Sequence, residues 1–211
     1  MATKKSQRIG ILIITIVMVV GTVGSFAVMI LGTQNAGRDS AEKQAQMAQL
    51  QKDYTEYNKK VQTQADELST KYYAEFSQYS SKVATFGSDG IKEVSFVALK
   101  EGDGEVVTES TEYSAYYIGW NPKGKIFDQS ISNGKLIAPI KGEGLIPGWT
   151  EGMKGMRLGG VREITIPSDK AYGEKGQGDD IPPNTPLKFI VMAIPRPAEV
   201  PVPDSLKGMG I

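Results

Sequence analysis

The sequence predicts an α+β protein: an antiparallel sheet with one short helix in its C-terminal half, preceded by a transmembrane helix and a long helical stalk. Three observations carry that reading. No charged side chain occurs from Ile9 to Gly37, and the Gln-, Ala-, Glu- and Lys-rich stretch from Asp39 to Phe86 is free of Gly and Pro. Beyond Ile91, short alternating segments are separated by Gly, Pro, Asn and Asp. These set the expected organisation: an N-terminal segment 1–8, a span 9–31, a stalk 38–87, a β-rich domain 91–194 and a proline-rich tail 195–211.

The apolar run Ile9 to Leu31 holds 23 residues, about 35 Å of helix at 1.5 Å per residue. A bilayer core of about 30 Å is crossed by roughly 20 such residues. A cleaved signal peptide has an apolar region of roughly 7 to 15 residues, shorter than this one, and a buried core helix would keep a polar face. Lys4, Lys5 and Arg8 directly precede the run, which favours a cytoplasmic N-terminus under the positive-inside rule. The expectation is a single-pass protein of the cell membrane that meets the lipid bilayer through 9–31 and holds its C-terminal domain outside the cytoplasm.

In the stalk, Met47, Leu50, Tyr54, Tyr57 and Val61 step by three and four, a heptad pattern. After Leu68 come Tyr72, Phe76, Tyr79, Val83 and Phe86, with two consecutive steps of four, as at a coiled-coil stutter. Three readings stay open: a coiled coil that makes a homo-oligomer, an amphipathic helix packed on the C-terminal domain or on the membrane surface, and a partly disordered spacer. A continuous helix would span roughly 70 Å. Ser88, Asp89 and Gly90 are turn formers and mark its end.

In the C-terminal domain the alternation predicts strands at Val94 to Leu99, Glu112 to Trp120, Lys135 to Ile140, Gly160 to Pro167 and Leu187 to Ile194. Pro147 opens a short helix, with Trp149, Met153 and Met156 on one apolar face. Charge excludes one class of function. Residues 91–194 carry 12 basic and 14 acidic side chains, without the basic face that phosphate binding requires, so nucleic acid is not an expected partner. Cys and His are both absent, which removes thiolate and imidazole chemistry and the usual zinc sites.

Five runs resemble, in order and spacing, the FKBP-type prolyl isomerases: Tyr116-Tyr117-Ile118-Gly119, Gly124-Lys125-Ile126-Phe127-Asp128, Leu145-Ile146-Pro147-Gly148-Trp149, Ala171-Tyr172-Gly173 and Ile181-Pro182-Pro183-Asn184. The resemblance covers residues 91–194. It implies a curved antiparallel sheet wrapped around the short helix, and a pocket made by Tyr117, Phe127, Leu145, Ile146, Trp149, Tyr172, Ile181 and Phe189, with Asp128 as its one acid. It also implies that Trp149 is the floor, and that the Ile146 N–H and the Tyr172 hydroxyl bind substrate carbonyls. Leu136 stands where an aromatic substrate contact is common in that family, Asn133 near the place of an arginine partner for the acid, and Gly144 where an acid is common. Gln177 and Asp180 lie in the flap before Ile181.

The activity so implied is peptidyl-prolyl cis/trans isomerisation of proline-containing polypeptides, with no cofactor and no metal. Rotation about X-Pro faces a barrier of about 18 to 20 kcal/mol because resonance holds the amide planar. A dry, gripping pocket disfavours that planar state relative to the twisted one, and needs no nucleophile or base. Two other readings stand beside it: a protein-binding module of the same fold without turnover, and a membrane adaptor that works through the stalk.

Overall fold

The computed structural model describes residues 39–207 and 209. The expected transmembrane span 9–31 lies outside the described residues. Among them, no helix is long and apolar enough to cross a membrane.

Helix α1 (Asp39–Ser77) is the long uninterrupted helix expected from its composition. It ends earlier than Phe86. A 3-10 turn (Gln78–Lys82) follows, and the chain is extended at Val83. The reason lies in where the next backbone groups go. The Ala84 carbonyl accepts the Trp120 indole N–H at 3.0 Å, and the Phe86 N–H donates to the Pro122 carbonyl at 3.0 Å. A further helical turn would have taken both.

Residues Gln62–Ala198 form one compact unit, and the helix up to Val61 belongs with the segment from Glu199 to a second. In the first unit the strands are β1 (Ser95–Lys100), β2 (Tyr113–Trp120), β3 (Ile126–Gln129), β4 (Ile131–Ser132), β5 (Lys135–Leu136), β6 (Ile140–Lys141), β7 (Val161–Ile166) and β8 (Leu187–Pro195). The main sheet runs β1-β7-β8-β2-β3, with β6 also on β2, and all its pairings are antiparallel.

Two features depart from the expected strands. The single strand 135–140 is two short ones. Asn133 and Gly134 take φ of 49° and 72°, the left-handed pair of a two-residue hairpin turn joining β4 to β5, and Pro139, which has no N–H for a ladder, separates β5 from β6. Strand β3 went unpredicted, because four residues with one aromatic and one acid give too little alternation to register.

Each residue of β2 is buried, on both faces of the sheet. Tyr113, Ala115 and Tyr117 join β8 residues Leu187, Phe189, Val191 and Ala193 in one core with Trp149 and Met153 of helix α2 (Pro147–Met153). Tyr116, Ile118 and Trp120 join Ile190, Met192 and Ile194 in a second core on the opposite face, covered by Leu68, Tyr72 and Phe76 of α1 and by Tyr79. The Ser69 hydroxyl adds a polar tie, accepting the Leu136 N–H at 2.9 Å. Of these readings of the stalk, the structure shows packing on the domain from Leu68 onward, so this part of the seam is spent within its own chain.

Helix α2 stops at Met153, two residues before Gly155 at φ 76°. Met156 therefore lies beyond the helix, although it is buried in the same core. The buried Arg162 guanidinium donates to the carbonyls of Gly152 at 2.6 Å and Lys154 at 3.2 Å, satisfying carbonyls that a helix end leaves free. Edge strand β1 leaves Phe96 and Val97 largely exposed, and its register with β7 shifts between Ala98 and Lys100.

The proline-rich tail from 195 is not extended throughout. In the second unit it carries a 3-10 turn (Asp204–Leu206), and Ser205 donates to the Asp53 carboxylate at 2.6 Å.

Phe76 has no solvent exposure. Replacing it with alanine should cost about 3 to 5 kcal/mol, as for other buried phenylalanines, read as a lower urea midpoint. A loss under about 1 kcal/mol would mean that the helix is not an integral layer of the domain.

Candidate active site

Alternation along β2 sends Tyr113, Ala115, Tyr117 and Gly119 to the face that also receives α2. Gly119 leaves room there. A Cβ at that position would lie 2.7 Å from ring atoms of both Phe127 and Phe189, so the missing side chain lets two phenyl rings close over the strand. Their centroids are 5.6 Å apart at 79°. Trp149 meets Phe189 at 5.4 Å and 75° and Tyr117 at 5.7 Å and 83°. These edge-to-face contacts set positive ring edges against negative faces.

Around the four rings lie Ile181, which is buried, and Leu145, Ile146 and Tyr172, which are partly buried. Ile146 is the residue that caps α2, in extended conformation, and its carbonyl accepts the Trp149 N–H at 3.0 Å. Neither the Ile146 N–H nor the Tyr172 hydroxyl has a hydrogen-bond partner among the described residues. Two polar groups are thus left open at the border of an apolar cluster.

Asp128 stands opposite Gly119 in the β2–β3 ladder. One of its carboxylate oxygens accepts the Tyr117 hydroxyl, and the other accepts the Gln129 N–H at 2.8 Å. Burial pushes its carboxyl above the ordinary range, and the two hydrogen bonds work against that rise. Burial, with the Asp128 charge next, also pushes the Tyr117 hydroxyl far up. Tyr172 is raised by burial and by the same charge. Both phenols therefore keep their protons at neutral pH and serve as donors.

The flap has its own anchor. Asn121, which is buried, donates to the Asp180 carbonyl at 2.9 Å and accepts from the Lys123 and Lys125 N–H groups at 3.0 and 3.2 Å. Lys125 also pairs with the Asp180 carboxylate. This fixes the residue before Ile181. Among the described residues no three His, Cys, Asp or Glu side chains converge to hold a metal.

Of the expected site residues, the structure brings Tyr117, Phe127, Asp128, Leu145, Ile146, Trp149, Tyr172, Ile181 and Phe189 to one side of the sheet. Leu136 is a correction. It is 3% exposed and packs in the other core, with Phe76 and Tyr116, because β5 is drawn to the helix side by its bond to Ser69. Gly119, Asn121 and Tyr113 were not singled out from sequence. The period-2 count from Tyr117 would have placed Tyr113 and Gly119 on the site face. A separate groove of about 730 Å³, lined by Thr108, Glu112, Tyr113, Glu143 and Lys154 among others, contains none of the four clustered rings.

Comparison with known proteins gives three findings. The family model for FKBP-type peptidyl-prolyl cis-trans isomerase matches residues 103–194. The chain is similar to an FK506-binding protein of Neisseria meningitidis serogroup A, 40% identical over 94 residues, covering 44% of this chain and 86% of that protein. It is also similar to the Escherichia coli FKBP-type peptidyl-prolyl cis-trans isomerase FkpA, 31% identical over 169 residues, 77% of this chain and 61% of that one. The second match is longer than the segment from Ile91 to the end of the sequence, so it takes in part of the region before the sheet.

The raised carboxyl has a pH consequence. A group that binds its proton more tightly folded than unfolded contributes stability below the unfolded value, and that contribution is lost as pH rises through the folded one. Asp128→Asn should therefore gain stability relative to the parent chain as pH climbs just above the ordinary carboxylate range. Denaturant midpoints of both proteins across that window check it, and parallel pH curves would reject it.

Proposed function

The chain belongs to the FKBP-type peptidyl-prolyl cis-trans isomerases, and from that premise we propose that its ring cluster speeds X-Pro rotation by removing water from the amide and gripping it on both sides. The observation that supports this best is the pair of open polar groups, the Ile146 N–H and the Tyr172 hydroxyl, beside an apolar wall of Tyr117, Phe127, Trp149 and Phe189.

In this reading the proline ring rests on Trp149 between Phe127, Tyr117, Phe189 and Ile181, with Leu145 at the edge. The Ile146 N–H and Tyr172 each hold a substrate carbonyl, fixing the chain on both sides of the bond that turns. Only the twisted amide has lost its resonance, so a dry pocket favours it over the planar form. Asp128 acts through Tyr117. Its bond from the phenol fixes that ring, and its charge stays at the pocket border, where water still reaches it.

The substrates we propose are exported polypeptides whose folding waits on proline isomerisation, a step of tens of seconds when uncatalysed. The uncharged run 9–31 and the basic residues Lys4, Lys5 and Arg8 before it support a membrane anchor with the domain outside the cytoplasm. The heptad steps from Met47 to Val61 support self-association through that part of α1.

Two experiments test this. The full chain should accelerate cis-to-trans conversion of a short X-Pro peptide. Tyr172→Phe should lower kcat/KM about tenfold, the worth of one net hydrogen bond of about 1.4 kcal/mol, and Asp128→Ala should lower it as well. A folded chain with no acceleration would favour a binding module. Protease added outside intact cells should remove the C-terminal domain, and full protection would overturn the proposed orientation.

A further inference from the structure

Trp149 is only 2% exposed, so its indole N–H must find a partner inside the protein. That partner is the hydroxyl of Tyr113, at 3.1 Å, on a residue itself 5% exposed. Tyr113 lies four residues before Tyr117 on the same face of β2, one step beyond the ring cluster. Its own seat is narrow. Gly142 donates its N–H to the Tyr113 carbonyl at 2.9 Å, and a Cβ on Gly142 would fall 2.3 to 2.5 Å from Cζ, Cε1 and Cε2 of the Tyr113 ring. No left-handed backbone demands glycine at 142, so the space taken by the ring is the reason for it.

We propose that Tyr113 is a positioning residue of the isomerase pocket: seated against Gly142, it holds the Trp149 indole edge-on to Tyr117 and Phe189 by accepting its N–H. This rests on the reading of Trp149 as the pocket floor. An indole turns about two side-chain torsions, and ring contacts alone leave its tilt soft. A hydrogen bond to the one polar atom of the indole removes that freedom. It also commits the indole N–H inward, so that the substrate meets only the apolar surface of the ring. Burial pushes the Tyr113 hydroxyl up, so it stays uncharged and continues to accept the bond at physiological pH.

The test uses the full chain and the conservative Tyr113→Phe variant, which keeps the ring and removes only the oxygen. The protein carries two tryptophans, and the Trp120 indole is bonded elsewhere, to Ala84. In ¹H–¹⁵N spectra, Tyr113→Phe should shift the Trp149 indole resonance and leave that of Trp120 in place. On a proline peptide, kcat/KM should fall about fivefold to tenfold, matching the loss of one hydrogen bond. The same substitution in a Trp149→Phe background, where there is no indole N–H to hold, should cost less than twofold. Gly142→Ala, which pushes on the ring without touching the hydroxyl, should shift the same Trp149 resonance. An unmoved Trp149 resonance in Tyr113→Phe, or an equal activity loss in both backgrounds, would overturn the inference while leaving the pocket standing. Trp149→Phe with unchanged activity would instead remove the pocket reading and this inference with it.

Discussion

Strand β2 is shared by two cores, and the remainder of the domain is arranged around that constraint. Its odd-numbered residues from Tyr113 to Tyr117 face α2 and the candidate site, while Tyr116, Ile118 and Trp120 face α1. Each face buries large side chains, worth roughly 1.5 to 3 kcal/mol apiece. Neither can be left open to water. An antiparallel sheet with one wet face would need only one cover, and here both covers are supplied by the same chain.

The division separates two jobs. The α1 side is lined by buried apolar and aromatic side chains, and the Tyr116 hydroxyl is buried there without a partner among the described residues. The α2 side keeps its polar atoms at the border of the ring cluster, where Asp128, Tyr172 and the Ile146 N–H lie. A fully buried core thus backs the face that carries the ring cluster. A flexible floor would lose the advantage of gripping, because a pocket that follows the planar amide as readily as the twisted one gives no rate.

Much of the fold could be read from the sequence, and what could not has physical causes. The long helix, four of the main-sheet strands and the short helix after Pro147 follow from periodicity and turn residues. The double burial of β2 was hidden, because YSAYYIGW is apolar in both registers and simple alternation assumes one solvent face. Leu136 was placed at the pocket by the family resemblance alone, whereas it faces the helix core. The candidate site entered through the family resemblance carried by the order and spacing of Tyr117, Phe127-Asp128, Ile146, Trp149, Tyr172 and Ile181, which the structure gathers on one side of the sheet. What spacing does not convey is which side chains hold those residues in place. Gly119 matters through an absent atom, and Tyr113 and Asn121 through hydrogen bonds that close only when distant segments meet.

The cover on the α1 side sets an order of events during synthesis. Tyr72 and Phe76 leave the ribosome early, but Ile190, Met192 and Ile194, against which they pack, follow on the order of 100 residues later, roughly 5 to 20 s at ordinary elongation rates. Over that interval the aromatic face of the helix gains its cover in stages, Tyr116 of β2 first and the β8 residues last. A nascent chain of this protein thus carries a partly uncovered helix face until β8 arrives.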